Sequence, residues 1–346
     1  MMRQGQAAQI GLSAGGDSHL ADQVARLARA AGAAVVTDGR ADVWLVAEGQ
    51  DSGPGPRRPD GVPVIRVRYG GRTREPVGWV DPDSSQVLEL PADDAPLLRY
   101  VGSLSLSSRA QIVAVLGARG GAGASTMAAA LARAAARAGT CAALVDLDAA
   151  GGLDLLLGVE HEPGPRWADL RSERTGFPAQ ALSLALPRWN DVRVLSGDGR
   201  GGPRVGDPGV ADALRALVSE HDLVVLDVPR NGPWSPHGGE MGAPGMPRWH
   251  QVLLVATCDV RSAAAAGVVA RQLGDVDARL IARSPGPGGL DPDVVAEACG
   301  LPLAARTRTE RGSAAASERG EAPGDHRRGT IARTASRLVA ELGLAP

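Results

Sequence analysis

Eight residues, Arg119-Gly120-Gly121-Ala122-Gly123-Ala124-Ser125-Thr126, combine closely spaced glycines with tandem hydroxyls, the residue types a phosphate cradle needs. The pattern G-x-x-x-x-G-K-[ST] holds phosphate oxygens on main-chain N–H groups, puts a lysine on the β/γ charge and offers a hydroxyl to Mg2+. With Gly123 as its last glycine, the first glycine falls on Ala118, the lysine on Ala124 and the metal-binding hydroxyl on Ser125. The chain contains no lysine, a bias that would turn Lys into Arg. Alanine at 124 is a different change. It predicts a site that holds a nucleotide but turns it over slowly or not at all.

Two acidic motifs complete such a site. Asp227 follows four apolar residues, Leu223 to Leu226, as a Walker B aspartate is presented to a metal-bound water. Asp146 and Asp148 stand two apart after the apolar run Cys141 to Val145, so on a continuing strand their carboxylates would share one face, with Leu147 opposite. One would hold the metal shell while the other orients an attacking water. Gly151-Gly152 then supplies a turn that keeps this end open to a ligand. The dinucleotide fingerprint G-x-G-x-x-G fails, because counted from Gly121 its third glycine falls on Thr126.

These side chains need a scaffold that gathers strand ends. Gln111 to Leu116 reads as a buried strand, the glycine loop follows, and Ser125 to Ala138 reads as an alanine-rich helix whose N-terminus aims partial positive charge at the loop. Apolar runs at Cys141 to Val145, Leu223 to Leu226, Val252 to Ala256 and Arg279 to Ala282, with helices between them, predict an α/β fold. Its sheet is mostly parallel, with helices on both faces and ligands at the carboxyl ends of the strands. Before it, strands at 9–12, 34–37, 43–47 and 64–69 and a helix over 18–31 predict a smaller α/β unit. Val101 to Ser108 is small and polar enough for a linker. The expected division is 1–98, a linker at 99–109, and 110–346.

At 346 residues, 44% hydrophobic and 22% charged, the chain has room for two or three globular cores. A net charge of −2 excludes a globally basic nucleic-acid coat. Cys141, Cys258 and Cys299 form no C-x-x-C pair, so a reducing, cytoplasmic setting is expected rather than a disulfide framework or a zinc site. The N-terminal residues lack the apolar core of a signal peptide and no run of about 18 apolar residues occurs, which limits membrane contact to the periphery.

The series Arg119-Gly-Gly-x-Gly-x-Ser-Thr126, the Asp-x-Asp strand end and Asp227-Val228-Pro229 together resemble the MinD/ParA deviant Walker A family. The resemblance implies a P-loop NTPase domain, ATP and Mg2+ as cofactors, and an ATP-dependent homodimer. In that dimer a signature lysine crosses to the partner's nucleotide, and Arg119 stands in its slot. It further implies Gly120, Gly121, Ala122, Gly123, Ala124, Ser125 and Thr126 as the nucleotide loop, Ser125 and Asp227 at the metal, and Asp146, Asp148 and Arg119 as the groups acting in hydrolysis. Arg283 falls near where MinD relatives place an asparagine against adenine.

The ending Gly123-Ala124-Ser125-Thr126 is similar to the CpaE/TadZ branch, which carries a degenerate receiver domain in front. Pro163 to Leu170, Ala185 to Arg188 with Val194 to Gly197, and Ser284 to Leu290 resemble actinobacterial CpaE-like septum-site-determining proteins. The first unit resembles a receiver (flavodoxin-like) domain in topology, but Ser13-Ala14-Gly15-Gly16 replaces its acidic pair and Ala47-Glu48 its phospho-acceptor. Without clustered oxygen ligands it reads as a pseudo-receiver for docking or dimerisation. The implied function is a regulatory switch in septum-site determination, or in placing a Tad-type pilus or secretion apparatus, whose components would be its partners. A slow dimerisation-dependent ATPase and a ParA-like protein that binds DNA nonspecifically are the alternatives.

Three further segments carry expectations. Arg230 to Trp249 reads as a Pro/Gly-rich loop, with Trp234 and Trp249 as candidate partner anchors. The last helix, 329–342, gathers Ile331, Ala335, Leu338, Val339 and Leu342 on one face, which reads as packing on the domain rather than as a membrane anchor. Arginines between 306 and 328 alternate with acids, a mixed solvated surface rather than a phosphate-binding stripe.

Overall fold

The computed structural model describes residues 8–38, 41–49, 62–70, 77, 80, 85–105, 110–170, 179–204, 207–230, 247–310, 322 and 329–344. The chain divides into two units, Met1–Ser108 and Arg109–Pro346.

In the first unit the apolar runs pair side by side as β1 (Gln9–Ser13), β2 (Ala34–Val36), β3 (Val43–Ala47), β4 (Val64–Tyr69) and β5 (Val87–Leu90). All pairs are parallel and the order is β2-β1-β3-β4-β5, the flavodoxin-like winding. Helix α1 (Ser18–Ala30) starts at Asp17, whose carboxylate accepts the Leu20 N–H at 3.0 Å. Leu20, Val24 and Leu27 then bury against the sheet. Glu48 is ion-paired with Arg68 at 3.1 Å, and Ser13 and Ala14 end β1 without a carboxylate.

Strand β5 and helix α2 (Asp94–Ser105) were not legible in the sequence, and α2 corrects the linker expected at 99–109. The helix runs through Ser105 because Leu97 and Val101, one turn apart, are fully buried in the core of the first unit. Residues 106–109 lie outside the described segments.

The second unit holds β6 (Gln111–Gly117), α3 (Ala124–Arg137), β7 (Ala142–Asp146), α4 (Leu153–Leu157), α5 (Trp167–Leu170), α6 (Ala179–Ala185), β8 (Arg188–Trp189), β9 (Val192–Leu195) and α7 (Pro208–Glu220). It continues with β10 (Leu223–Val228), β11 (Gln251–Thr257), α8 (Val260–Leu273), β12 (Ala278–Ser284), α9 (Pro292–Cys299), β13 (Leu303–Arg308) and α10 (Thr330–Glu341). The eight strands run β13-β12-β11-β6-β10-β7-β9-β8, parallel throughout except for β8 against β9. Strands buried on both faces read as continuous apolar runs, and β6, β10 and β11 do.

Side-chain alternation then decides which face each site residue joins. On β6, Ile112, Ala114 and Leu116 enter the core shared with α7 and α8, while Val113 and Val115 enter the core shared with α3 and α10. On β10, Leu223 and Val225 lie on the α3 face, which places Asp227 there too. The same parity on β7, after Ala142 and Leu144, sends Asp146 to that face. Asp227 and Asp146 are register partners on adjacent strands, so they meet at the carboxyl edge of the sheet, beside the start of α3.

The last helix packs on α3, with Ala335, Leu338 and Val339 buried and Ile331 and Leu342 against the same core, so its apolar face is already used. Among the described residues no helix is long and apolar enough to cross a membrane. Trp249 is not a surface anchor. It is 2% exposed in the core, because the chain leads straight from it into the buried strand β11. Trp234 and most of the arginine-rich stretch lie outside the described residues, but Arg306 is ion-paired with Asp293 at 2.6 Å and so offers no free charge to a phosphate.

Candidate functional site

The chain turns from β6 into α3 through Gly117 to Gly123, with Gly121 at φ +73° and Gly123 at φ +100°. Both values lie in the left-handed region that side chains disfavour, which is why glycine stands there. The first-turn N–H groups of α3 have no acceptor within the helix. Within the loop the Ala122 N–H bonds to the Arg119 carbonyl at 3.2 Å and the Met127 N–H to the Gly123 carbonyl at 3.0 Å. Among the described residues, the N–H groups of Gly123, Ala124, Ser125 and Thr126 find no acceptor. Four unpaired donors at the positive end of a 14-residue helix form an anion cradle.

Three acids lie at the strand ends beside it. Asp227 is 9% exposed and accepts a hydrogen bond from the Ser125 hydroxyl. Burial pushes its carboxyl up to about 6, against the Ser125 bond, and the nearby Asp148 charge adds to the rise. Asp146 is 1% exposed, and burial pushes it up to about 7 despite N–H bonds from Asp148 at 2.9 Å and Leu153 at 3.3 Å. Asp148 is exposed, and its carboxylate caps the next turn by accepting the Ala150 N–H at 2.9 Å. Thus Asp146 and Asp148 do not present equivalent carboxylates. The strand ends at Asp146, which braces the backbone, while Asp148 faces outward.

No group of three or more His, Cys, Asp or Glu that could hold a metal by itself occurs among the described residues. Mg2+ bound beside phosphates takes one or two protein oxygens and completes its octahedron with water and phosphate. The Ser125 hydroxyl and the Asp227 carboxylate are hard oxygens that could hold such an ion, and they are hydrogen-bonded to each other.

Several residues of this edge gave no clear signal in the sequence. The Trp167 indole N–H donates to the Asp146 carbonyl at 2.6 Å from a buried position. Gly202 packs backbone to backbone on the Asp148 segment, its N–H on the Ala149 carbonyl at 2.8 Å. Asp259 caps α8, accepting from the Ser262 N–H at 2.9 Å and the Thr257 hydroxyl at 2.5 Å, and pairs with Arg119 at 3.4 Å. An aspartate between a buried strand and a helical run is a readable cap signal, whereas the contact with Arg119 is purely tertiary. Arg230 donates to the Ala118 carbonyl at 3.3 Å, and Arg283 to the Gly121 carbonyl at 2.9 Å.

The Gly202 contact carries a test. A methyl group there would lie 1.9 Å from the Asp148 carbonyl oxygen, so backbone must move. Gly202→Ala is expected to lower stability by about 1–3 kcal/mol, as overpacking does. Thermal melting checks this, and an unchanged midpoint would show that the loops shift freely.

Fold and loop together define a P-loop α/β protein whose cradle has alanine in place of lysine. Residues 110–283 match the family model for cellulose biosynthesis protein BcsQ, and the chain belongs to this BcsQ/ParA/MinD family of P-loop NTPases. An uncharacterized protein of Mycobacterium tuberculosis is 39% identical over 236 residues, 66% of this chain and 64% of that protein, so the match spans less than two thirds of the relative. Among solved structures, a ParA family ATPase from Chlorobium tepidum is similar at 16% identity, covering 68% of this chain and all of that one with a TM-score of 0.53. A chain of the Aquifex aeolicus MinC:MinD cell division complex is similar at 18% identity, 67% and 96% coverage and TM-score 0.51. Cyanothece McdA in its ATP complex is similar at 13% identity, 69% and 99% coverage and TM-score 0.50. At these identities the likeness is one of fold.

Proposed function

We propose that this chain is an ATP- and Mg2+-binding regulatory switch that works through nucleotide-dependent dimerisation and hydrolyses ATP slowly or not at all. The observation that carries the reading is the cradle itself. Four helix-terminal N–H groups have no acceptor among the described residues and stand beside a Ser125–Asp227 contact, although position 124 is alanine. Gly120 to Thr126 would hold the phosphates, and Ser125 and Asp227 the metal. Asp146 would brace the loop that carries Asp148. Arg119 would cross to the partner's nucleotide. Its side chain is 42% exposed and its own-chain pair with Asp259 is long, so releasing it costs little.

The exposed carboxylate of Asp148, free to orient a water, favours a slow ATPase as the second reading. The sequence resemblance to CpaE-like and septum-site-determining proteins supports a cytoplasmic role in placing a division site or a Tad-type apparatus. In that role the first unit, as a pseudo-receiver, would dock a partner or a second copy.

The test is nucleotide affinity by calorimetry and mass by light scattering. Wild type is expected to bind ATP with Mg2+ and dimerise, and Arg119→Ala to bind but remain monomeric. Equal dimerisation of Arg119→Ala would refute the crossing role. Phosphate release in a single turnover at saturating protein separates switch from enzyme.

A further inference from the structure

We propose that Arg283, from the end of β12, supplies within its own chain the positive charge that position 124 lacks, and so acts as the cation of the nucleotide cradle. The inference rests on the nucleotide reading above and assigns that site a residue it did not have. Three observations carry it.

The first is placement. Leu280 and Ala282 enter the α7/α8 core and Ile281 the α3 core, so alternation turns Arg283 to the face that carries the glycine loop. One guanidinium nitrogen donates to the Gly121 carbonyl at 2.9 Å. The other lies 3.2 Å from where a Cβ on Gly123 would stand, so the guanidinium lies against the two left-handed glycines of the cradle.

The second is the lack of a counter-charge. Arg119, Arg279 and Arg306 each pair with a carboxylate, whereas among the described residues none pairs with Arg283. Burial holds its pKa below the usual arginine value and no acid offsets this. A half-buried guanidinium without an acid is unfavourable until an anion reaches it.

The third is elimination. With no lysine in the chain, arginine is the one permanently charged side chain left to serve as the cradle's cation. Arg119 is assigned by the reading above to the partner's nucleotide, and Arg230 reaches Ala118, at the foot of the loop rather than at its glycines. By also taking up the Gly121 carbonyl, Arg283 screens a dipole end that would repel phosphate.

The experiment compares ATP and AMP binding by calorimetry for wild type, Arg283→Gln, Arg283→Ala and Arg283→Ala combined with Ala124→Lys, with thermal melting of each as the folding control. Glutamine can still donate to Gly121 but carries no charge, so it separates charge from bracing. Both single variants are expected to weaken ATP binding about tenfold or more, with a smaller loss for AMP, and lysine at 124 to restore most of the ATP affinity. Wild-type affinity in folded Arg283→Gln would overturn the inference and leave Arg283 a brace. Loss without rescue by Ala124→Lys would overturn it as well. If wild type itself binds no nucleotide, the reading beneath it falls, and that outcome is distinct from the other two.

Discussion

Asparagine at position 227 is expected to stabilise the ligand-free protein at neutral pH while abolishing its response to Mg2+. Burial raises the folded-state pKa of Asp227 from 3.8 to about 6, with Ser125, Asp148 and its register partner, the buried Asp146, as its neighbours. Between those values the folded state holds a proton that the unfolded state has released, so stability falls as pH rises through this window. Below it both states are protonated, and above it the full penalty is present. A rise of about two units corresponds to roughly 3 kcal/mol at most. Asparagine keeps an acceptor for the Ser125 hydroxyl but never ionises. At pH 7.5 its melting point should therefore lie several degrees above wild type, and the gap should close near pH 4. Differential scanning calorimetry across pH measures this. A lower melting point for Asp227→Asn at pH 7.5 would mean that the carboxylate is structural. Loss of Mg2+-dependent tightening of ATP binding in the same variant ties the penalty to the site, because a stability cost retained at a strand end points to function.

Ala124→Lys is expected to have the opposite effect on ligand affinity. Position 124 opens α3 between the left-handed Gly123 and Ser125, and an ammonium there would lie at the mouth of the cradle. Hydrogen bonds to charged groups are worth about 1.5–3 kcal/mol, so ATP should bind roughly 10- to 100-fold more tightly, with a smaller gain for AMP. Turnover is the sharper readout. If the alanine is what holds hydrolysis back, the single-turnover rate should rise with affinity. A rise in affinity alone would place the limit elsewhere, at the exposed Asp148 or at Arg119.

The parts of this molecule legible in the sequence are those whose signal is local. The glycine loop between an apolar strand and an alanine-rich helix could be read because each feature sits next to its neighbour in the chain, and the turn types follow from the glycines themselves. Asp227 and Asp146 were readable as strand-end acids, but their different fates were not. Whether a carboxylate is buried against backbone N–H groups or faces water depends on Leu153 and on the Trp167 and Gly202 contacts, which fold back from later segments. Serine-rich α2 looked like linker because what makes it a helix is the burial of Leu97 and Val101 beneath another element. Trp249 looked like an interface residue for the converse reason, since a tryptophan beside a Pro/Gly-rich stretch does not reveal that the chain is about to enter the core. The sequence places Arg283 near the nucleotide only by position, and the register of β12 brings it onto the cradle glycines.

On the reading proposed above, main-chain amides and a helix dipole, helped by an arginine from a distant strand, hold a triphosphate without the usual lysine. Isothermal titration of the wild-type full chain with ATP and Mg2+ at pH 7.5 tests it most directly. Saturable heat at one site per chain, with weaker binding of AMP, is the predicted result. A protein that melts cooperatively yet gives no heat with ATP, ADP or their magnesium salts would contradict it.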